Sequence, residues 1–274
     1  MTALSPAVEK PRLYDFEEGF GSVYGRYVRK HLCRRLVARH AIRSVLEAPC
    51  NAEAYFASPG TQSVVFAEAG CRVSLVHPDP VVVEKTRAFW SALGLGGVDV
   101  REHADLCHLP FDDDCFDLVW SFDHIPLADD PERLLAEMAR VSGKLVMVIV
   151  PNALNVGYPV HALASAIQGR RSPWGPRRWM ALEPVARVVC GLGLEVVDTG
   201  LVDAPPWPGF DALRPIGQLV RRNAVSPPRR PPPSDSAVER MLRRLTFIEY
   251  GPLPAAVKVY FAHQLYLIAR KPGR

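Results

Sequence analysis

Apolar and polar positions along this chain repeat with two periods, one suited to helices and one to strands. Within residues 14–40, Tyr24, Val28, Leu32, Leu36 and Val37 recur at the spacing of a single helix face. Downstream, short apolar runs at 44–48, 72–76, 98–102, 116–121 and 144–150 read as strands, and helical stretches at 61–69, 80–93 and 130–141 separate them. Strands alternating with helices predict a parallel sheet covered on both faces, joined by right-handed crossovers. The second half is less regular. A helix is expected at 182–190, a strand at 194–202, a helix near 237–245 and a last strand at 264–269.

Two stretches break the pattern, PPWPGF at 205–210 and RRNAVSPPRRPPPSDS at 221–236. The second is rich in proline and arginine and is expected to be an extended or mobile loop. Residues 1–13 read as a flexible tail. With no internal repeat, 14–274 reads as a single domain, with a core at 14–152 and a cap with the final strands at 153–274.

The 274 residues, 48% apolar and 23% charged, suffice for one sizeable core. The net charge of +4 is too mild to mark a nucleic-acid binder. Six cysteines without a CxxC pair are expected to be reduced thiols of a cytoplasmic protein. The first residues lack an apolar run, and 145–150 is too short to span a bilayer, so a soluble chain is expected. Arginine pairs recur, and the loop at 221–233 admits a weaker reading as an RNA or membrane-surface contact.

The segment DLCHLPFDDDCFDLVWSFDHIPLADDPERLLAEMARVSGKLVMVIVPN (105–152), with AHQLYLIARKP (262–272), resembles class I S-adenosylmethionine-dependent methyltransferases of the type 11-like kind. The likeness spans roughly residues 40–152 and continues more loosely to the end. It implies a Rossmann-like three-layer α/β sandwich, a mostly parallel seven-stranded sheet with an antiparallel last strand, S-adenosylmethionine as cofactor and a small-molecule acceptor. In that family the acid ahead of the LPF segment marks the adenine site, here Asp105 with Leu106. Glu47, Ala48 and Pro49 leave the first strand, and Ser121 lies near the end of the fourth. The segment 153–260 would cover the acceptor.

Two departures stand out. The family places bare glycine backbone directly after the acid of the first strand, whereas Glu47 is followed by Ala48, Pro49, Cys50 and Asn51. The first glycine is Gly60, so either the turn has moved, with Gly60 and Thr61 supplying amide donors, or the motif is worn. At the end of the second strand the family has Asp or Glu for the ribose, but here His77 stands there and Asp79 follows two residues later. A neutral imidazole accepts one hydrogen bond and a charged one none. Losing a bidentate acceptor costs about 1.5–3 kcal/mol. The rival reading is therefore a catalytically silent methyltransferase-like binding or scaffold protein.

Methyl transfer needs little covalent machinery, and a base only where the nucleophile must lose a proton. Asp123 and His124, just past the fourth strand, are the catalytic candidates, with Tyr158 and His161 behind them. Loop-end residues of these types also cap helices. The spacing of His103, Cys107, His108 and Cys115 matches no standard ligand set, so no metal is expected. Trp174, Trp179, Trp207 and Phe210 are candidates for an acceptor pocket or for core packing of the cap.

Overall fold

The computed structural model describes residues 20–50, 60–95, 97–167, 169, 174–204 and 235–273. In chain order the elements are α1 (Phe20–His40), β1 (Ser44–Glu47), a 3-10 turn (Thr61–Ser63) running into α2 (Val64–Glu68), β2 (Arg72–His77), α3 (Pro80–Leu93), β3 (Val98–Glu102) and β4 (Phe116–Phe122). Then follow α4 (Pro131–Val141), β5 (Ser142–Pro151), α5 (Tyr158–Ile167), α6 (Leu182–Gly191), β6 (Glu195–Val202), α7 (Asp235–Tyr250), α8 (Ala255–Lys258) and β7 (Gln264–Arg270). The strands form one sheet in the order β3-β2-β1-β4-β5-β7-β6. All neighbours are parallel except β7, which runs against both β5 and β6. The expected α/β sandwich with an antiparallel last strand is what the chain forms.

Strand parity builds the two cores. Val45, Trp120, Phe122, Met147 and Ile149 face one side, where α1, α2 and α3 contribute Val28, Leu32, Phe66, Val83 and Trp90. Leu46, Val119, Val146 and Val148 face the other, against Leu134, Leu135 and Met138 of α4 and Val185 and Val189 of α6. Both faces of the central strands are dry, which is why these strands read as unbroken apolar runs.

Helix starts follow local chemistry. Asp79 accepts from Val81 N at 2.8 Å with Pro80 in the first turn of α3, and Asp130 accepts from Arg133 N at 3.1 Å with Pro131 opening α4. α3 ends on Gly94 at φ +64.

Several boundaries differ from the sequence reading. The first strand stops at Glu47, because Ala48 and Pro49 already turn across the sheet edge. β5 is longer at both ends and α7 runs on to Tyr250. α5 was not expected: its described exposed positions, Pro159, Leu163, Ala166 and Ile167, are apolar and do not give the polar stripe by which a surface helix is read. The tail at 1–13, Trp207 and Phe210, and nearly all of the 221–236 loop lie outside the described residues. No described helix is long and apolar enough to cross a membrane.

Candidate functional site

In open parallel sheets the ligand crevice lies beyond the carboxyl ends of the strands, where the strand order reverses. Here that point falls between β1 and β4. β1 ends first: Glu47 pairs with Leu75 of β2 and Trp120 of β4, and both neighbours continue two residues further, to His77 and Phe122. The exit from β1 fills this notch. Ala48 N donates to Trp120 O at 3.0 Å, and Cys50 N to Val76 O at 2.7 Å. Pro49 has no N–H. The turn thus spends both its amides on the neighbouring strands, and 48–50 keeps none for a ligand.

Gly60 returns the chain at φ +72, at the start of the 3-10 turn. A Cβ there would lie 2.9 Å from Thr86 Cγ2 and 3.0 Å from Leu75 Cδ1. Its glycine is required by backbone geometry and by close packing on β2 and α3. Thr61, Gln62 and Ser63 behind it are all buried.

Glu47 is fully buried and accepts from Ser63 Oγ at 2.5 Å, and Trp120 Nε1 donates to the same hydroxyl oxygen at 3.1 Å. Beside this pair runs a second chain of buried polar groups. Arg29 of α1 donates from Nε to Gln62 Oε1 at 3.1 Å and from Nη1 to Gln264 Oε1 at 3.0 Å. Its guanidinium lies 4.7 Å from the Phe122 ring centre. A guanidinium only donates, so Arg29 draws both amide oxygens toward itself and turns both NH2 groups away. Gln264 Nε2 then donates to Asp123 Oδ2 at 2.7 Å. Asp123 takes φ +54, and its N–H donates to Ile149 O at 2.8 Å. Regular strand alternation would send position 123 to the α4 face; the left-handed turn lets its carboxyl meet Gln264 near the Arg29 guanidinium.

Gln62 Nε2, Ser121 Oγ and Asp123 Oδ1 are buried and have no hydrogen-bond partner among the described residues. Burial pushes the Asp123 carboxyl up to about 7, and Arg29 opposes that rise. His124 is held down to about 4 by burial and, secondarily, by His77, so it is neutral. Its carbonyl takes the N–H groups of Leu127 and Ala128. Arg29, Gln62 and Gln264 escaped the sequence reading. Only Arg29 carried a signal, as a charge between Val28 and Cys33 on the apolar side of a helix.

The remaining candidates are more dispersed. His77 is buried, and its Nδ1 accepts from Asp79 N at 3.0 Å. Burial lowers its pKa, so the ring is neutral and carries its proton on Nε2, a donor. Asp79 is exposed and caps α3. Asp105 is exposed and accepts from Cys107 N at 2.9 Å and pairs with His108 Nδ1 at 2.7 Å, the latter lowering its pKa most. Leu106 beside it is half-buried. The Tyr158 ring lies 5.9 Å from the Arg177 guanidinium, and the side chain of His161 lies outside the described residues. Trp179 packs in the α4–α6 core and Trp174 is half-buried. No metal-binding group of His, Cys, Asp or Glu occurs among the described residues.

Residues 57–147 match the methyltransferase-domain family. The match begins beyond β1 and the glycine-poor turn. No curated protein matches in sequence. Among solved structures, the chain resembles the cyclase SpnF at TM-score 0.54 and 18% identity, over 89% of this chain and 80% of that one. It resembles the YcgJ protein of Bacillus subtilis at 0.53 and 14%, over 89% and 97%. It resembles the magnesium protoporphyrin IX methyltransferase of Synechocystis PCC 6803, a complex with S-adenosylhomocysteine, at 0.52 and 11%, over 91% and 84%. These likenesses establish the fold, which is shared by a protein named as a cyclase. By strand order the chain has the class I methyltransferase fold, and over residues 57–147 it is similar to the methyltransferase-domain family.

The buried polar atoms test how the cofactor of that class fits. At the end of β4, Asp123 Oδ1 is an acceptor and Ser121 Oγ a hydroxyl able to donate or accept, both without partners among the described residues, and Gln62 Nε2 is such a donor in the turn ahead of α2. Such atoms cost about 1–3 kcal/mol each until a ligand or water satisfies them. They fit a ligand bearing both cationic and anionic groups, as the amino-acid end of S-adenosylmethionine does. At the end of β2, where the resemblance would put the ribose, the fit is poorer, since His77 offers a donor in place of a two-oxygen acceptor.

Proposed function

We propose that this chain transfers a methyl group from S-adenosylmethionine to a small-molecule acceptor at the carboxyl edge of β1, β2 and β4. The observation that carries the reading is Asp123: buried, turned off strand parity, braced through one oxygen by Gln264, and with its other oxygen unpartnered among the described residues. The cofactor supplies an already activated methyl group. The chain's own residues have to exclude water, align the acceptor and take up its proton. In this reading the free oxygen of Asp123 receives the ammonium of the cofactor's amino-acid end, which would hold the carboxyl, otherwise raised to about 7, in its charged form. Glu47, Gly60, Thr61, His77, Asp105, Leu106 and Ser121 form the cofactor wall in this reading, and Ala48 and Pro49 close its floor.

Calorimetric titration with S-adenosylhomocysteine tests it. Binding in the micromolar range supports the proposal; no heat and no thermal shift at millimolar ligand would overturn it.

A second reading has its own support. The amides of Ala48 and Cys50 are consumed by the sheet, and His77 presents a donor to the ribose position. Both favour a catalytically silent methyltransferase-like protein that serves as a binding or scaffold partner. That reading expects cofactor binding to emerge only in His77→Asp.

A further inference from the structure

From 142 to 182 the sequence contains no aspartate or glutamate, while it contains Lys144, Arg170, Arg171, Arg177 and Arg178. α5 lies in the middle of this acid-free stretch, and its described exposed positions are apolar. Pro159, Leu163, Ala166 and Ile167 fall at the spacing of one helix face and are all exposed, Leu163 at 63% and Ile167 at 77%. The loop entering α5 adds Leu154 and Val156, 50% and 57% exposed. Hydrogen bonds from Val156 N to Tyr260 O at 2.9 Å and from Asn155 Nδ2 to Phe261 O at 2.7 Å hold that loop to the main body. Arg177 and Arg178 are exposed, and the Arg177 guanidinium lies 5.9 Å from the ring of Tyr158, the first residue of α5. An apolar helix face in a stretch of chain that carries arginines and no acids suits a helix lying in the surface of a charged bilayer.

We infer that α5 and the Arg177–Arg178 pair form a docking surface for an anionic lipid bilayer. Charge selects this occupant over the others. A second copy would bring the same arginines against themselves. Residues 205–234 of this chain hold five arginines and one aspartate, so they are no better complement. An anionic surface satisfies the arginines while its acyl boundary takes Leu163 and Ile167. α5 follows the carboxyl end of β5, so docking brings the edge that carries Asp123 against the membrane. The acceptor would then be a lipid-borne molecule, a consequence that rests on the methyltransferase reading, whereas docking itself does not.

The test is co-flotation of the full chain with vesicles of phosphatidylcholine, alone or mixed with phosphatidylglycerol. Binding to the mixed vesicles only, weakened by salt, is expected. The paired variant Leu163→Glu with Ile167→Glu should lower the bound fraction about tenfold or more at unchanged melting temperature. Arg177→Glu with Arg178→Glu should remove the preference for the anionic lipid. Absence of flotation, or flotation indifferent to the Leu163 and Ile167 changes, would overturn the inference. So would a dimer that those changes dissolve, or flotation gained only on deleting residues 205–234. S-adenosylhomocysteine calorimetry without vesicles tests the enzymatic reading separately.

Discussion

Gln264 Nε2 donates to Asp123 Oδ2 at 2.7 Å, joining the first residue of the antiparallel β7 to the first residue beyond β4. Arg29 holds the other end of the same glutamine amide, so one guanidinium on α1 sets which oxygen of Asp123 remains available. Replacing Gln264 by leucine removes this brace. Its expected effect is weaker binding of S-adenosylhomocysteine together with a loss of stability of about 1–3 kcal/mol. Calorimetry and urea unfolding read the two, and unaltered affinity would detach Asp123 from the ligand.

Asp123 also makes stability depend on pH. Its folded-state pKa, about 7, lies above the ordinary 3.8, because burial disfavours the charge. The stability this gives is complete below the unfolded pKa and is lost as pH rises through about 7. Glu249, accepting from Asp203 N and Ala204 N yet raised to about 7 chiefly by burial, adds to the same slope. Asp123→Asn should therefore gain on the wild type in melting temperature between pH 5 and 8, by a few degrees or about 1 kcal/mol. Parallel melting curves across that range would contradict the assignment.

Ser63 serves two buried groups at once, donating to Glu47 and accepting from Trp120 Nε1. Ser63→Ala takes a donor from a carboxylate and an acceptor from an indole. Chemical denaturation should show a loss of about 2–4 kcal/mol, larger than for an ordinary surface serine.

His77→Asp tests the ribose position proposed at the end of β2. In His77→Asp a carboxylate replaces a ring that can only donate from Nε2. The affinity for S-adenosylhomocysteine should rise about tenfold or more, by calorimetry. No change would mean that the ribose does not lie against β2.

Gly60→Ala tests whether the first glycine after β1 is a matter of packing. With φ +72 and Thr86 and Leu75 within 3.0 Å of any Cβ, unfolding should become easier by about 1–3 kcal/mol. A neutral result would show that the turn can shift.

The sandwich was legible before any coordinates. Apolar runs at 116–121 and 144–150 announce strands buried on both faces, and helical spacing at 80–93 and 130–141 announces the helices between strands. The departures at Glu47 to Asn51 and at His77 were equally plain, because they are substitutions within a recognisable pattern. α5 was not legible, since exposed Leu163 and Ile167 erase the polar face by which a surface helix is known.

By itself the sequence determined the order of the seven strands and of most helices, and the two positions, Glu47 to Asn51 and His77, where the chain departs from the family pattern. Periodicity and short motifs act over a few residues, so they need no knowledge of distant partners. Only the tertiary structure decided what fills the crevice. The amides of Ala48 and Cys50 are spent on Trp120 and Val76, and Arg29, Gln62, Gln264 and Asp123 meet from four separate segments. Such a network depends on which residues the folded sheet and its helices bring within about 3 Å, the range of a hydrogen bond, and no local pattern records that.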